Sequence, residues 1–425
     1  MLDARSLADR RDEIATSIRR RGVKADLDGA IALHEKVAAK QHELNETNRR
    51  RNEHQERGKR KLTPEEREAH GAEGRALKEA VARVEADVDA LRARLDVKLR
   101  ELPNFLHSAV PDGGENDAKE LRRFRDEAKF DFAPKDHLAL GAALALWDFD
   151  GGAKVAGQKF YFLKNEAVLL ELALQRYALD LLLAEGFTPY LTPDLARADI
   201  LEGIGFNPRG EETQIYSVAN TELCLVGTAE ITLGGLYADT LLEEEQLPVL
   251  MAGISHCFRT EAGAAGRESK GLYRVHQFTK VEMFAITRPE DSDAMHERLL
   301  GIEERIYQGL ELPYRVVDIA AGDLGAPAYR KFDIEAWMPG RGEHGSWGEI
   351  SSTSNCTDYQ ARRLRVRFRR KATKKNEFAH MLNGTAVSNA RLLLALVENH
   401  QRADGTVGIP KALQPYVGRE VIGKR

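Results

Sequence analysis

The sequence predicts an α+β protein in two parts. Residues 1–104 read as a long antiparallel hairpin of two helices, and residues 105–425 as an antiparallel sheet with helices packed on one side. Three observations predict this. A heptad seam runs through the first hundred or so residues, a capped turn interrupts it, and short strand-like runs separated by turns fill the later chain. The length of 425 residues fits the division, because single cores rarely grow beyond roughly 250–300 residues.

The hairpin comes first. Leu77, Val81, Val84, Val88, Leu91 and Leu95 alternate spacings of four and three, which puts all six on one stripe of a helix. Ala30, Leu33, Val37 and Leu44 form a matching stripe upstream, interrupted by Lys40. The segment GKRKLTPEE lies between the two. Gly58 stops the first helix, while Thr63, Pro64 and Glu66 read as N-cap, first-turn proline and capping-box partner of the second. Helices joined by so short a turn run antiparallel, and arms of about 30 residues reach roughly 45 Å.

Toward the turn the first helix loses its apolar stripe. Arg49, Arg50, Arg51, Arg57, Lys59, Arg60 and Lys61 stand against only Glu53 and Glu56. Two readings are open here: a solvated helical tip, or an anchor for a polyanion. The whole-chain balance of 63 Lys and Arg against 67 Asp and Glu gives no case for nucleic acid, so this local charge has to make it.

Residues 102 to 134 read as a linker, with Pro103, Pro111, Gly113 and Gly114 and mixed charge. Residues 166–185 form a helix apolar around most of its circumference and stopped by Gly186, which predicts burial against a sheet or a partner subunit. Strand-like runs follow: FTPYLTP, ELCLVG, VLMAGISHCFRTE, QFTKVEMFAI, YRVVDI, FDIEAWM and EISSTSNCTDYQ. No apolar run is long enough to span a bilayer, and the charged N-terminal segment is not a secretory signal. Cys224, Cys257 and Cys356 are odd in number and far apart, which argues against a disulfide framework and paired zinc ligands. A reduced cytoplasmic protein is the expectation.

The chain carries no P-loop and no strand-linked Gly-x-Gly-x-x-Gly turn. Its most informative segment, ISHCFRTEAGAAGRESKGLYRVHQFTKVEMF, reads as a strand, a glycine-rich mobile loop and a returning strand. Alternation puts Phe278, Lys280 and Glu282 on one face and Val281 and Met283 on the other, and pairs Arg259 with Glu261 on the outgoing strand. Such a hairpin presents an Arg suited to phosphate, a ring suited to a purine and carboxylates suited to an ammonium group. An amphipathic hairpin with its polar face in water is the plainer alternative. In LNGTAVSNARLLLALVENHQ, an apolar helix starts after Asn383-Gly384-Thr385 and puts Arg391 near its first turn, where a cation opposes the helix dipole unless an anion is nearby. The structural alternative there is a surface Arg paired with a carboxylate.

Taken together, the Arg-x-Glu strand, long loop, Phe-x-Lys-x-Glu strand and late strand-to-helix with Arg391 resemble motifs 2 and 3 of class II aminoacyl-tRNA synthetases, at about 250–286 and 378–400. The segment at about 166–193, with Pro193, resembles motif 1. Gly227-Thr228-Ala229-Glu230, Glu349-Ile350-Ser351-Ser352 with Ser354-Asn355-Cys356 after it, and Asn383-Gly384-Thr385 are similar to sequences of the seryl-tRNA synthetase subfamily. The hairpin resembles that subfamily's tRNA-binding arm, so the likeness spans essentially the whole chain. One departure stands in motif 3, where Ala386 and Ser388 occupy positions that are glycine in the general class pattern.

The resemblance implies a serine–tRNA ligase that forms seryl-adenylate from L-serine and ATP and passes serine to tRNA(Ser), with the selenocysteine tRNA a second candidate. It implies a class II catalytic domain at 105–425, a homodimer and Mg²⁺. It assigns catalysis to Arg259 and Arg391. ATP would meet these two with Thr260, Glu261, Val275, Phe278, Glu349, Ile350, Ser351 and Ser352. Serine would meet Thr228, Ala229, Glu230, Glu282, Asn383 and Thr385. Glu349 and Ser352 would neighbour Mg²⁺, and the seven basic tip residues would meet tRNA. Two other classes compete. An amino acid:carrier-protein ligase on the same catalytic domain lacks the arm, and a non-catalytic relative would have lost Arg259, Glu282 or Arg391, all of which are present.

Overall fold

The computed structural model describes residues 1–206, 214–262 and 271–423. Within them the chain divides into two compact units, Met1–Phe105 and Leu106–Arg425.

In the first unit the heptad residues drive a helical hairpin. Helix α1 (Arg11–Arg21) precedes α2 (Leu27–Arg57) and α3 (Pro64–Glu101). On α3, Leu77, Val81, Val84, Val88 and Leu95 are buried and Leu91 is half-buried. Lys40 interrupts the facing stripe without leaving a charge stranded: its Nζ lies 2.9 Å from Glu43 and 3.3 Å across the seam from Asp87. The turn is capped reciprocally. Thr63 N donates to Glu66 Oε2 at 2.7 Å, and Glu66 N donates to Thr63 Oγ1 at 3.2 Å.

At the tip, part of the basic charge is met by the hairpin itself. Arg49 pairs with Glu46 and Glu53, Arg57 with Glu73 at 2.9 Å, and Lys59 with Glu56 at 2.5 Å. Arg51 is half-buried, whereas Arg50, Arg60 and Lys61 are exposed. Exposed pairs of this kind are screened by solvent and contribute little, so they yield readily to a stronger anion. Helix α1 was not foreseen. Leu7 and Ile14 anchor this N-terminal segment in the core, and Ser17 Oγ donates to Asn104 O at 2.7 Å.

The second unit is built on eight strands: β1 (Lys119–Phe124), β2 (Thr188–Leu191), β3 (Val249–Phe258), β4 (Gln277–Thr287), β5 (Tyr314–Asp318), β6 (Arg330–Met338), β7 (Ser346–Asn355) and β8 (His380–Ser388). Their order is β1-β5-β6-β7-β8-β4-β3-β2. Every pair is antiparallel except β2 with β3. Helices α4 (Glu166–Ala184), α5 (Ala229–Leu236), α6 (Ser292–Gly309), α7 (Tyr359–Leu364) and α8 (Asn389–Asn399) flank it.

Alternation along β4 explains how the sheet is covered. Val281, Met283 and Ala285 belong to the large core shared with α4, α6 and α8. Phe284 and Ile286 point the other way, into a second core with α5 and α7. Helices therefore lie on both faces rather than one, because β4 is apolar on both sides along its second half. The first half of its second face carries Lys280 and Glu282, and there the cleft opens.

Other sequence expectations need correcting as well. Part of the supposed linker, KELRRF, is the edge strand β1; its charged side chains are tolerated because an edge strand faces water. ELCLVG forms a separate ribbon in which Leu223–Leu225 pairs with Leu195–Arg197. EISSTSNCTDYQ stops being a strand at Asn355, and Tyr359 begins α7. Asn383-Gly384-Thr385 lies within β8, and α8 starts only at Asn389. The central residues 263–270 of the glycine-rich loop expected to be mobile lie outside the described residues.

The seam of the hairpin can be tested directly. Val88 is 1% exposed on α3, so Val88→Ala deletes two buried methyl groups and leaves a void. The expected cost is about 1.5–2.5 kcal/mol, read as weakened amide-exchange protection in residues 30–100 while the second unit keeps its protection.

Candidate active site

Strand register puts the polar residues of β4, β7 and β8 into one cleft. Glu282 stands opposite Thr385 of β8, and Lys280 opposite Ser388. Between these pairs the β8 register shifts, which makes Ala386 an extra residue. The bulge brings Thr385 and Ser388 onto the same side, although a spacing of three would separate them in a regular strand. A second shift, in β7 opposite Ile334 and Glu335, makes Ile350 the extra residue and does the same for Glu349 and Ser352. All four line the cleft.

One end of the cleft is acidic. Thr228, the N-cap of α5, accepts from Glu230 N at 3.2 Å and donates its hydroxyl to Glu282 Oε2 at 3.1 Å. Lys280 Nζ contacts the same Glu282 carboxylate, as expected for residues two apart on a strand. Glu230 Oε1 accepts from Gln360 Nε2 at 2.6 Å and from Asn383 Nδ2 at 2.9 Å. Burial, reinforced by the neighbouring Glu282 carboxylate, pushes the Glu230 carboxyl up to about 7. Burial also raises Glu282, against the opposing pull of Lys280. Ser351 Oγ donates to Thr385 O at 2.8 Å and ties β7 to β8 behind this end.

The other end is aromatic and basic. The Arg259 guanidinium lies 5.3 Å above the Phe278 ring, and its Nε and Nη2 each reach Gly227 O at 3.4 Å. Arg391 lies 4.8 Å over the Tyr273 ring and pairs with Glu349 at 3.1 Å. Burial opposes a charged Glu349, but Arg391 and then Lys331 outweigh it and hold the carboxylate at about 2. Thus the cation in the first turn of α8 does have its anion. Glu261 adopts φ of +52°, a left-handed conformation costly outside glycine, and accepts from Arg274 Nη1 at 2.9 Å. This departs from the extended Arg-x-Glu expectation, because β3 ends at Phe258.

Of the residues singled out from sequence, Thr228, Glu230, Arg259, Glu261, Val275, Phe278, Glu282, Glu349, Ile350, Ser351, Ser352, Asn383, Thr385 and Arg391 line this cleft. Two do not. Ala229 is fully buried at the start of α5, and Thr260 donates its backbone N–H to Gln214 O. Tyr273, Arg274 and Lys280 line the cleft and were not chosen. Lys280 was visible, sharing a strand face with Glu282, whereas Tyr273 and Arg274 follow a loop whose path has no periodic signal. The basic tip residues Arg49, Arg50, Arg51, Arg57, Lys59, Arg60 and Lys61 belong to the other unit.

A model described as the tRNA synthetase class II core domain (G, H, P, S and T) matches residues 215–400, and the seryl-tRNA synthetase N-terminal domain matches residues 1–106. The chain is 52% identical to a serine–tRNA ligase of Rhodopirellula baltica over 423 residues, 99% of each chain. It is 51% identical to one from Treponema denticola over 424 residues, covering both chains entirely. A crystal structure of seryl-tRNA synthetase from Pyrococcus horikoshii complexed with ATP superposes with a TM-score of 0.91 at 40% identity, covering 100% of both chains.

The acidic end yields an expected outcome independent of any ligand. A carboxyl raised to about 7 favours folding below its unfolded value near 4.5, and that contribution is lost as pH climbs toward 7. Glu230→Gln abolishes this dependence. Urea unfolding of the variant at pH 8 should therefore show equal or greater stability than wild type, by up to about 3 kcal/mol. A large loss instead would mean that the anionic form is held favourably.

Proposed function

Because the chain belongs to the seryl-tRNA synthetase family, we propose that it joins L-serine to tRNA(Ser) in two steps at this cleft, with ATP consumed in the first. The observation that carries the reading is the meeting in one cleft of an acidic, hydroxyl-bearing end and an aromatic, guanidinium-bearing end. A short amino acid suits the first and a nucleotide triphosphate the second.

In the first step serine's carboxylate, already ionised, attacks the α-phosphorus in line as pyrophosphate leaves. No protein base is needed, and rate comes from alignment and charge neutralisation. Arg259 meets the α-phosphate and serine carboxylate, with Phe278 stacked on adenine and Val275 beside it. Arg391 meets the distal phosphates and must exchange part of its pairing with Glu349 to do so. Thr228, Glu230, Glu282, Asn383 and Thr385 surround serine. Its ammonium favours ionised Glu230, so serine binding tightens as pH rises from 6 to 8. Alanine is rejected because it leaves buried polar groups unpaired.

Mg²⁺ fits the donors present, since Glu349 and Ser352 offer hard oxygens on one side of bulged β7. When bound there it supplies charge neutralisation for the phosphates. In the second step the terminal ribose hydroxyl of tRNA takes the acyl group, and Arg49, Arg50, Arg51, Arg57, Lys59, Arg60 and Lys61 hold the tRNA backbone. The selenocysteine tRNA is a second candidate for the same arm. Val168, Leu169, Leu172 and Leu183 on α4 are exposed, which favours a homodimer packed through this helix. No helix among the described residues is long and apolar enough to cross a membrane, in keeping with a cytoplasmic enzyme.

The deciding assay is ATP–pyrophosphate exchange with serine, threonine, alanine and glycine in parallel. Serine alone should support rapid exchange, and Glu282→Ala should abolish it while the protein stays folded. Undiminished exchange by that variant would refute the serine pocket. Removing residues 30–100 should spare exchange and cripple tRNA charging, whereas equal charging without the arm would refute the role given to its tip.

A further inference from the structure

Near the turn of the hairpin the apolar seam gives way to two imidazoles. His54 of α2 and His70 of α3 stack with ring centroids 3.7 Å apart and planes 9° from parallel. His54 is only 4% exposed, in a place where a coiled coil ordinarily carries an aliphatic side chain. Glu73 lies one turn beyond His70 on the same face of α3. Its Oε2 stands 3.6 Å from His54 Nε2.

Two glycines leave room for this cluster. A Cβ at Gly58 would fall 2.3 Å from His70 Nε2, and one at Gly74 would fall 3.1 Å from His54 Cε1. Glycine inside a helix costs about 1 kcal/mol relative to alanine, and Gly74 bears that cost in the interior of α3. The space is kept for imidazoles rather than for packing.

We propose that His54, His70 and Glu73 bind a borderline divalent cation of the zinc class, which clamps α2 to α3 just below the turn. One ligand atom from each residue lies within 4.8 Å of the others. Tetrahedral zinc, with bonds of about 2.0 Å, needs ligand atoms about 3.3 Å apart. The His54–Glu73 separation of 3.6 Å nearly meets this already, and a rotation of the His70 ring out of the stack supplies the third ligand. His54 Nε2 also lies 3.0 Å from His70 O, so both of its neighbours are acceptors and it carries the proton in the metal-free protein. As the metal takes Nε2 the proton moves to Nδ1, so the ring binds as a neutral ligand. Two imidazoles and one carboxylate favour zinc over the harder Mg²⁺ or Ca²⁺, and leave a fourth position for water.

The test is calorimetric titration of the full-length protein with Zn²⁺ in the absence of ATP, with amide exchange of residues 52–74 as an independent readout. One equivalent should bind and slow exchange on both helices. Glu73→Gln, an exposed position that leaves folding intact, should weaken binding by about ten-fold or more, and His70→Gln should abolish it together with the exchange protection. Absence of binding at micromolar Zn²⁺ would overturn the proposal. So would binding that both variants retain, or binding without slowed exchange in 52–74.

Discussion

Register along Gln277–Thr287 is the constraint from which both faces of the sheet follow. Because side chains alternate, the same strand that buries Val281, Met283 and Ala285 under the large helices also turns Lys280 and Glu282 into the cleft. A slip of one residue would drive Lys280 and Glu282 into the large core and turn Val281 into the cleft, so packing energy fixes the position of the charged groups. The neighbouring strand is held to the same register, with Thr385 opposite Glu282 and Ser388 opposite Lys280. Core and site are thus two readings of one alignment.

That alignment also sorts charge. Glu230 and Glu282 share the acidic end, where burial makes ionisation costly and Lys280, Arg259 and hydrogen-bond donors relieve part of it. Glu349 sits at the other end and stays ionised beside Arg391. Behind both, Glu303 of α6 is fully buried, and burial pushes its carboxyl well above the ordinary value. Four carboxyl groups in one region therefore differ in protonation according to what faces them, as the general rule for tuned sites requires. An arrangement of this kind can receive a cation at one end and an anionic chain at the other without collapsing on itself.

Much of this was legible before any coordinates. The heptads, the Thr63 cap and the β4 alternation are periodic or local signals, and each corresponds to an element found. Elements set by tertiary context were not legible. Strand β1 is KELRRF, which carries no apolar face because an edge strand needs little. Helix α8 begins later than expected because β8 continues through Ser388 before giving way. The bulges at Ile350 and Ala386 leave no mark in a single sequence, yet they put Glu349 with Ser352 and Thr385 with Ser388 on common sides. Lys280 shares the face of Phe278 and Glu282 by alternation alone, but nothing in a single sequence ties it to a ligand. Ala229 belongs to the motif on which the resemblance rests, and its side chain is buried at the start of α5.

The hairpin shows a complementary balance between apolar drive and polar specification. Its heptad seam is rich in aliphatic residues on α3, whereas the facing stripe on α2 contains Lys40 and becomes polar toward the tip. Apolar packing alone would tolerate sliding of one helix along the other by a heptad. Lys40 with Asp87 and Arg92 with Gln41 span the two helices, and a slip in either direction parts both pairs. Stacked His54 and His70, seated against Gly58 and Gly74, resist the same displacement, because a helix shifted by one turn would meet side chains where the glycines now leave space. Polar groups in the seam weaken it relative to an all-leucine coil, and in exchange they fix where the basic turn sits along the arm.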